Sequence, residues 1–273
     1  MSQWAGQVAV ITGAGSGIGA GLARHAAALE MRVIAVDVCG EGLDELRREQ
    51  AAQGRTLRGV RLDIRDAEAV EALAAEVFAD EGRVNLLFNN AGVLVDGKSW
   101  ERSIEAWRRS FEVNVLGVVN GIRSFVPRML QQGAPGRVIN TSSIGGLLGG
   151  GPFMGAYQSS KHAVTALTES LHHELNREAA PIAASLLCPP AVNTAIMAAE
   201  PPLQDRHSEE EARFHRQLAG KLAEGESPEA FAARVFEEIA AERFWIIPDT
   251  SHHPALALRH ESIMARRNPV GLY

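Results

Sequence analysis

Cysteine, lysine and tyrosine are scarce in this 273-residue sequence, and each scarcity excludes something. The two cysteines, Cys39 and Cys188, have neither a pairing nor a ligand spacing. That excludes a disulfide framework and a cysteine-rich zinc site, and it fits a reducing compartment, so a cytoplasmic location is expected. Cationic excess is also missing: 27 Lys and Arg against 33 Asp and Glu give a net charge of −6. No basic footprint is left for nucleic acid or an anionic membrane. The long uncharged stretch 138–160 is broken by Asn, Thr, Ser, Gly and Pro, which lipid would leave unsatisfied, so it reads as a buried or ligand-facing segment rather than a span. Nine histidines, among them His172-His173 and His252-His253, have no partner at metal spacing, and no metal is expected. Internal repeats and low-complexity tracts are absent as well, which disfavours a solenoid.

What is present is an alternation. Short β-branched runs at Val8–Thr12, Arg32–Asp37, Thr56–Leu62, Val84–Asn89, Arg137–Thr141, Ile182–Cys188 and Phe244–Pro248 are separated by Ala-rich amphipathic stretches. This pattern reads as an α/β fold: a doubly wound parallel sheet of about seven strands with helices on both faces, Rossmann-type, in a single domain over 1–273. Two long helices are expected, Ile104 to Leu130 and about Phe153 to Glu178; long exposed helices of this kind often pack against other subunits. The rhythm breaks over 190–226, where prolines, Met197 and an acidic run at Glu209 to Glu211 precede a helix start marked by Ser227 and Pro228. That excursion reads as a substrate loop or lid, its acidic run as a solvated helix face, and 249–273 as a C-terminal tail. Ala195, Ile196, Met197, Pro201, Pro202 and Leu203 give the lid a partly apolar character that suits a small, partly apolar substrate.

The first strand runs into Thr12-Gly13-Ala14-Gly15-Ser16-Gly17-Ile18-Gly19 and then a helical pattern. A turn over a pyrophosphate needs a tight bend and close backbone approach, which a Cβ obstructs, and the following helix N-terminus offers free N–H donors. Gly13, Ser16, Gly17, Ile18 and Gly19 are therefore candidate cofactor contacts. The second strand ends at Asp37, eighteen residues beyond Gly19, where a carboxylate accepts from ribose hydroxyls and repels a 2′-phosphate. With no cation at Ser16 or Val38, NAD is favoured over NADP. Asp63, with Ile64 beside it, closes the third strand where it could meet the adenine edge. A glycine-rich turn and a strand-end acid are each common alone; their order along the chain strengthens both.

Against 24 arginines the chain has only three lysines and two tyrosines, yet Tyr157 and Lys161 stand four apart on one predicted helix face. Composition alone expects about 0.02 such pairs, so a chance surface pair is the weaker reading. A phenol that shuttles protons near neutral pH needs its ionisation eased by roughly 3 to 4 kcal/mol, about what one cation at ~4 Å supplies. Upstream, Ser142 and Ser143 end the fifth strand, and a hydroxyl there could polarise a substrate oxygen; the spacing does not choose between them.

Together these residues resemble the classical short-chain dehydrogenase/reductase family, over nearly the whole chain from Gln7 to about Pro248. Thr12 to Gly19 is similar to its Thr-Gly-x-x-x-Gly-x-Gly turn, Asn89-Asn90-Ala91-Gly92 to its Asn-Asn-Ala-Gly strand ending, and Tyr157 with Lys161 to its Tyr-x-x-x-Lys pair. The resemblance implies that Tyr157 is the general acid/base and that Lys161 lowers its pKa and binds the nicotinamide ribose. It implies that Asn114 sustains a proton relay to Lys161, that Ser143 bonds the substrate oxygen, and that Asn90, Ala91 and Gly92 line the cofactor. Val192 and Thr194 are its nicotinamide contacts, although Pro189-Pro190 stands where the family usually has Pro-Gly, which sends the loop along another path. The stretch from Ser143 to Tyr157 is also one residue longer than is common. A homotetramer or homodimer is implied too. The expected function is an NAD-dependent oxidoreductase interconverting a secondary alcohol and a ketone; the alternative is a catalytically silent NAD sensor or scaffold of the same fold. Sugar-nucleotide epimerases, with a different glycine spacing, and enoyl reductases, with a wider tyrosine-to-lysine spacing, fit less well.

Overall fold

The computed structural model describes residues 3–199 and 208–269. Pro201, Pro202 and Leu203 lie outside the described residues. Seven parallel strands form one sheet in the order β3-β2-β1-β4-β5-β6-β7. They are β1 Val8–Thr12, β2 Arg32–Asp37, β3 Arg58–Arg61, β4 Leu86–Asn89, β5 Gly136–Thr141, β6 Ile182–Leu187 and β7 Trp245–Ile246. The order reverses between β1 and β4, so a crevice opens at the C-terminal ends of those two strands, where open α/β sheets bind ligands.

The alternation within β1 explains the layering. Ala9 and Ile11 face one core with Leu22 and Ala26 of α1 (Gly17–Ala28), Leu46 of α2 (Gly40–Ala52) and Phe231, Val235 and Phe236 of α8 (Pro228–Ala240). Val8 and Val10 face the other, with Leu73 and Val77 of α3 (Ala67–Glu81), Phe125 and Met129 of α5 (Gly117–Gln131) and Leu171 and Leu175 of α6 (Gly155–Arg177). Burial on both faces is why these strands read as continuous apolar runs. Polar caps set the helix starts: Asp66 accepts from Glu68 and Ala69 N–H at α3, and the Ser227 hydroxyl accepts from Ala230 N–H at α8, with Pro228 in its first turn.

Three segments depart from the sequence expectation. The helix expected over Ile104 to Leu130 is α4 (Ile104–Phe111), a π-helical turn at Glu112–Leu116, and α5. The 190–226 excursion contains a short 3-10 turn, Ile196–Ala199, and a four-turn helix, α7 (Glu209–Ala223), capped by Ser208. The tail folds into α9 (His253–Met264). The acidic run is also not a uniformly solvated face: Glu211 is 0% exposed and ion-paired to Arg102, while Glu209 faces solvent. No helix among the described residues is long and apolar enough to cross a membrane.

Candidate active site

The glycine turn is held against β4 by one side chain that the sequence did not single out for a role. Thr12 Oγ1 accepts the N–H groups of Asn90 (2.9 Å) and Ala91 (3.1 Å) and donates to the Phe88 carbonyl (3.2 Å). Asn90 Nδ2 donates back to the Thr12 carbonyl at 3.0 Å. The fit is close enough to require glycine: a Cβ on Gly13, whose φ is +70°, would lie 2.7 Å from Ala91 Cα, and one on Gly19 would lie 2.0 Å from the Gly13 carbonyl oxygen. Asp37 braces the turn as it faces the cleft, Oδ2 accepting from Gly15 N–H and Oδ1 from Cys39 N–H, each at 2.8 Å. Asp63 also lines the cleft, but Arg65 grips it at 2.6 Å and holds its carboxyl below the usual carboxylate range. Ile64 lies beside it, packed over Gly117.

On the other side of the crevice the two candidate serines part. Ser142 is turned into the protein, its hydroxyl donating to the Lys161 carbonyl at 2.8 Å and meeting Thr165 Oγ1 at 3.0 Å. Ser143 faces the cleft beside Tyr157, and its hydroxyl accepts from Gly145 N–H at 3.1 Å. Lys161 is buried, with Nζ 2.9 Å from the Thr141 carbonyl and 5.9 Å from the Tyr157 ring centre. Asn114 sits in the π-helical turn, a geometry frequent at functional sites. Its Oδ1 accepts from Val93 N–H at 2.8 Å, and its Nδ2 donates to the Val93 carbonyl and to Ser160 Oγ, both at 2.9 Å. A Cβ on Gly92 would stand 3.2 Å from Lys161 Nζ and 3.3 Å from Asn114 Oδ1, so the backbone of Gly92 runs directly over both.

Two sets of positioning residues escaped the sequence reading. Behind the strand ends, Asn89 Nδ2 donates to Asn140 Oδ1 (2.9 Å), Asn140 Nδ2 to Thr168 Oγ1 (3.1 Å), and Thr168 Oγ1 to the Val164 carbonyl (2.7 Å). This buried amide relay locks β4, β5 and α6 in register. Gln158, also buried, accepts the Gly151 N–H at 2.7 Å and pins the glycine loop that follows Ser143. The run Asn89-Asn90 was the available signal for the first set; Gln158 had none.

With Asn114 lying behind them, Asp37, Asp63, Ile64, Ser143, Tyr157 and Lys161 share one cleft of about 1320 Å³. That exceeds the roughly 300–1,000 Å³ of a single small-ligand pocket and suits a dinucleotide with a second molecule beside it. The cleft takes in Gly13, Ser16, Gly17, Ile18, Gly19, Asn90, Ala91, Gly92, Val192 and Thr194. Its outer wall is apolar: Leu94, Met154 and Tyr157 pack with Ile196, Met197, Phe214 and Leu218. Pro190 lines it too, while the Pro189 carbonyl accepts from Ile144 N–H at 2.9 Å, so the loop leaving β6 remains tied to the serine segment. Helix α7 is fastened to the segment after β4 by the Arg102–Glu211 ion pair and by His215 Nδ1 against Asp96 Oδ2 at 3.0 Å.

A family model described as short chain dehydrogenase matches residues 7–204. The chain belongs to the short-chain dehydrogenase family. Among curated proteins, it is 38% identical over 193 residues to a 1-deoxy-11-beta-hydroxypentalenate dehydrogenase of Streptomyces exfoliatus, covering 70% of this chain and 69% of that one. It is 36% identical over 196 residues to the putative oxidoreductase SadH of Mycobacterium tuberculosis, covering 72% and 70%. A short-chain dehydrogenase/reductase from Burkholderia phymatum, solved in complex with NAD, superposes with a TM-score of 0.92 at 39% identity, covering 99% of this chain and 98% of that one.

The residues of this short-chain dehydrogenase fit a dinucleotide at the glycine turn, since the tight packing that Gly13 and Gly19 allow brings the N-terminus of α1, uncapped by the Ser16 side chain, to the cleft wall. The turn, Asp37, Asp63, Ile64, Tyr157, Lys161, Val192 and Thr194 would hold it. In the chain alone, the phenol is not acidified as the sequence led us to expect. Burial pushes Tyr157 up, only partly offset by the Ser143 hydroxyl beside it, and burial pulls Lys161 down to about 8. Burial also drives the Cys188 thiol up to about 12, leaving it neutral beside Lys161.

Proposed function

We propose that this short-chain dehydrogenase interconverts a secondary alcohol and a ketone with NAD, with Tyr157 as general acid/base. The observation that carries the reading is that Ser143 and Tyr157, with Lys161 one helical turn on, line the same cleft as the glycine turn. Bound NAD would supply the hydride acceptor, and its reduced form the donor. Ser143 Oγ orients the substrate oxygen, and Tyr157 Oη gives that oxygen a proton or takes one from it. Lys161 stabilises the phenolate form and would bond a ribose hydroxyl of the bound dinucleotide, and Asn114 ties the segment after β4, at Val93, to Ser160 beside Lys161 on α6. The protonated phenol that burial favours is the form that serves ketone reduction; oxidation first requires its proton to leave.

NAD rather than NADP is supported by Asp37 and by the Burkholderia phymatum relative solved with NAD. A metagenomic relative, 33% identical over 69% of this chain and 84% of its own, with a TM-score of 0.64, was solved with NADP. A partly apolar substrate is supported by the wall around Leu94, Met154 and Phe214. Exposed Ile104 and Leu116, on the α4–α5 segment, support a homodimer or homotetramer, and the unpaired Cys39 and Cys188 a reducing, cytoplasmic setting. The test is absorbance of reduced nicotinamide when the purified protein meets NAD and a panel of aromatic and alicyclic secondary alcohols. Turnover with NAD above NADP is expected. Dinucleotide binding without turnover in either direction, on any alcohol or ketone tried, would favour a silent sensor.

A further inference from the structure

The cleft has a cation whose purpose the catalytic reading leaves open. Lys221, in the last turn of α7, lines the cleft, faces solvent, and has no hydrogen bond or ion pair among the described residues. The other basic groups in the wall are differently placed. Arg65 is taken by Asp63 and Glu112, Lys161 is buried against the Thr141 carbonyl, and Arg109 enters from α4, which packs on α6, on the opposite face of the sheet from α1 and α8.

The end of α7 lies beside the start of α1. Gly225, just past α7, is so close to Ala191 that a Cβ would stand 2.5 Å from its carbonyl oxygen, and a Cβ on Gly17, the first residue of α1, would stand 3.0 Å from Thr194 Cγ2. The next helix begins at Pro228, and its carbonyl would lie 2.4 Å from a Cβ on Gly21, one turn into α1. The last turn of α7 is thereby held at the mouth of the glycine turn by contacts from both sides. That end of a helix is the negative pole of its dipole, and Glu224, which also lines the cleft, adds a carboxylate. A dianionic pyrophosphate on the α1 N-terminus would face this negative end with one side chain of opposite sign, Lys221.

We propose that Lys221 is the lid's counter-ion for the dinucleotide pyrophosphate, tying α7 to the bound cofactor; this rests on the dinucleotide reading of the cleft. An ammonium near the phosphates, in partly screened surroundings, is worth roughly threefold to tenfold in affinity.

Calorimetric titration of NAD, ADP-ribose and adenosine into the wild type, Lys221→Gln, Lys221→Arg and Arg109→Gln, at low and at high salt, tests this. The expected result is a threefold to tenfold weaker affinity of Lys221→Gln for NAD and ADP-ribose alike, none for adenosine, shrinkage of the effect at high salt, and recovery in Lys221→Arg. Unchanged affinity for both phosphate-bearing probes, an equal loss for adenosine, or an equal loss in Arg109→Gln would overturn it. A wild type that binds neither NAD nor ADP-ribose would instead overturn the dinucleotide reading itself, so the two failures are distinct.

Discussion

Ser142 and Lys161 are tied in both directions: the Ser142 hydroxyl donates to the Lys161 carbonyl at 2.8 Å, and Lys161 Nζ returns a bond to the carbonyl of Thr141, just before Ser142, at 2.9 Å. The strand end and the catalytic helix are thus one unit, with Ser143 left to face the cleft. Two adjacent serines should therefore fail differently. Ser142→Ala is expected to cost about 1 kcal/mol of stability with turnover largely kept, and Ser143→Ala to cost on the order of a hundredfold in kcat with stability unchanged. Denaturant melts and steady-state kinetics on both variants check this.

The Arg102–Glu211 pair joins the segment after β4 to α7, with side chains 9% and 0% exposed. Removing one partner strands the other as a buried charge. Arg102→Met is expected to destabilise by about 3–5 kcal/mol, and Glu209→Gln, on the solvent side of the same helix, by less than about 0.5 kcal/mol. Urea unfolding of the two variants is the measurement; near-equal effects would contradict the burial of Glu211.

How much of this was legible in the sequence follows from what each feature depends on. β1 and β2 were readable to the residue, because a doubly buried strand needs an unbroken apolar run and both runs end at polar residues, Thr12 and Asp37. β7 was overestimated, since only Trp245 and Ile246 pair with β6 although the apolar run extends further. The π-helical turn at Glu112–Leu116 was invisible because one extra residue per turn barely alters an apolar stripe. Glu211 was misread because its fate depends on Arg102, 109 residues away. At the site, the glycine turn, Ser143, Tyr157 and Lys161 line one cleft with Asn114 behind it, and the partition of Ser142 from Ser143 required knowing which way the α6 carbonyls point.

Two glycines should respond oppositely to alanine. A Cβ at Gly19 would strike the Gly13 carbonyl at 2.0 Å, so Gly19→Ala is expected to weaken NAD binding more than tenfold. Gly220, inside α7 with nothing within 4 Å of a Cβ, is expected to gain about 0.5–1 kcal/mol of stability as alanine. Titration of NAD and thermal melts separate the two effects.

Lys161 gives a pH signature of stability. Its folded value, about 8, lies below the ordinary lysine value of 10.5, so between these the folded chain binds fewer protons than the unfolded one. Stability contributed at this position should therefore rise as pH climbs from about 8 to 10.5, by up to about 3 kcal/mol, and level off above and below. The difference in unfolding free energy between wild type and Lys161→Met, followed across that range, isolates the effect; a flat difference would contradict the burial of the ammonium.

The central claim is that the Tyr157 hydroxyl carries the proton of the reaction, and Tyr157→Phe tests it most directly because only the oxygen is removed. The account predicts loss of turnover by at least about a thousandfold with NAD affinity within about twofold of wild type. A variant that turns over at the wild-type rate would contradict it.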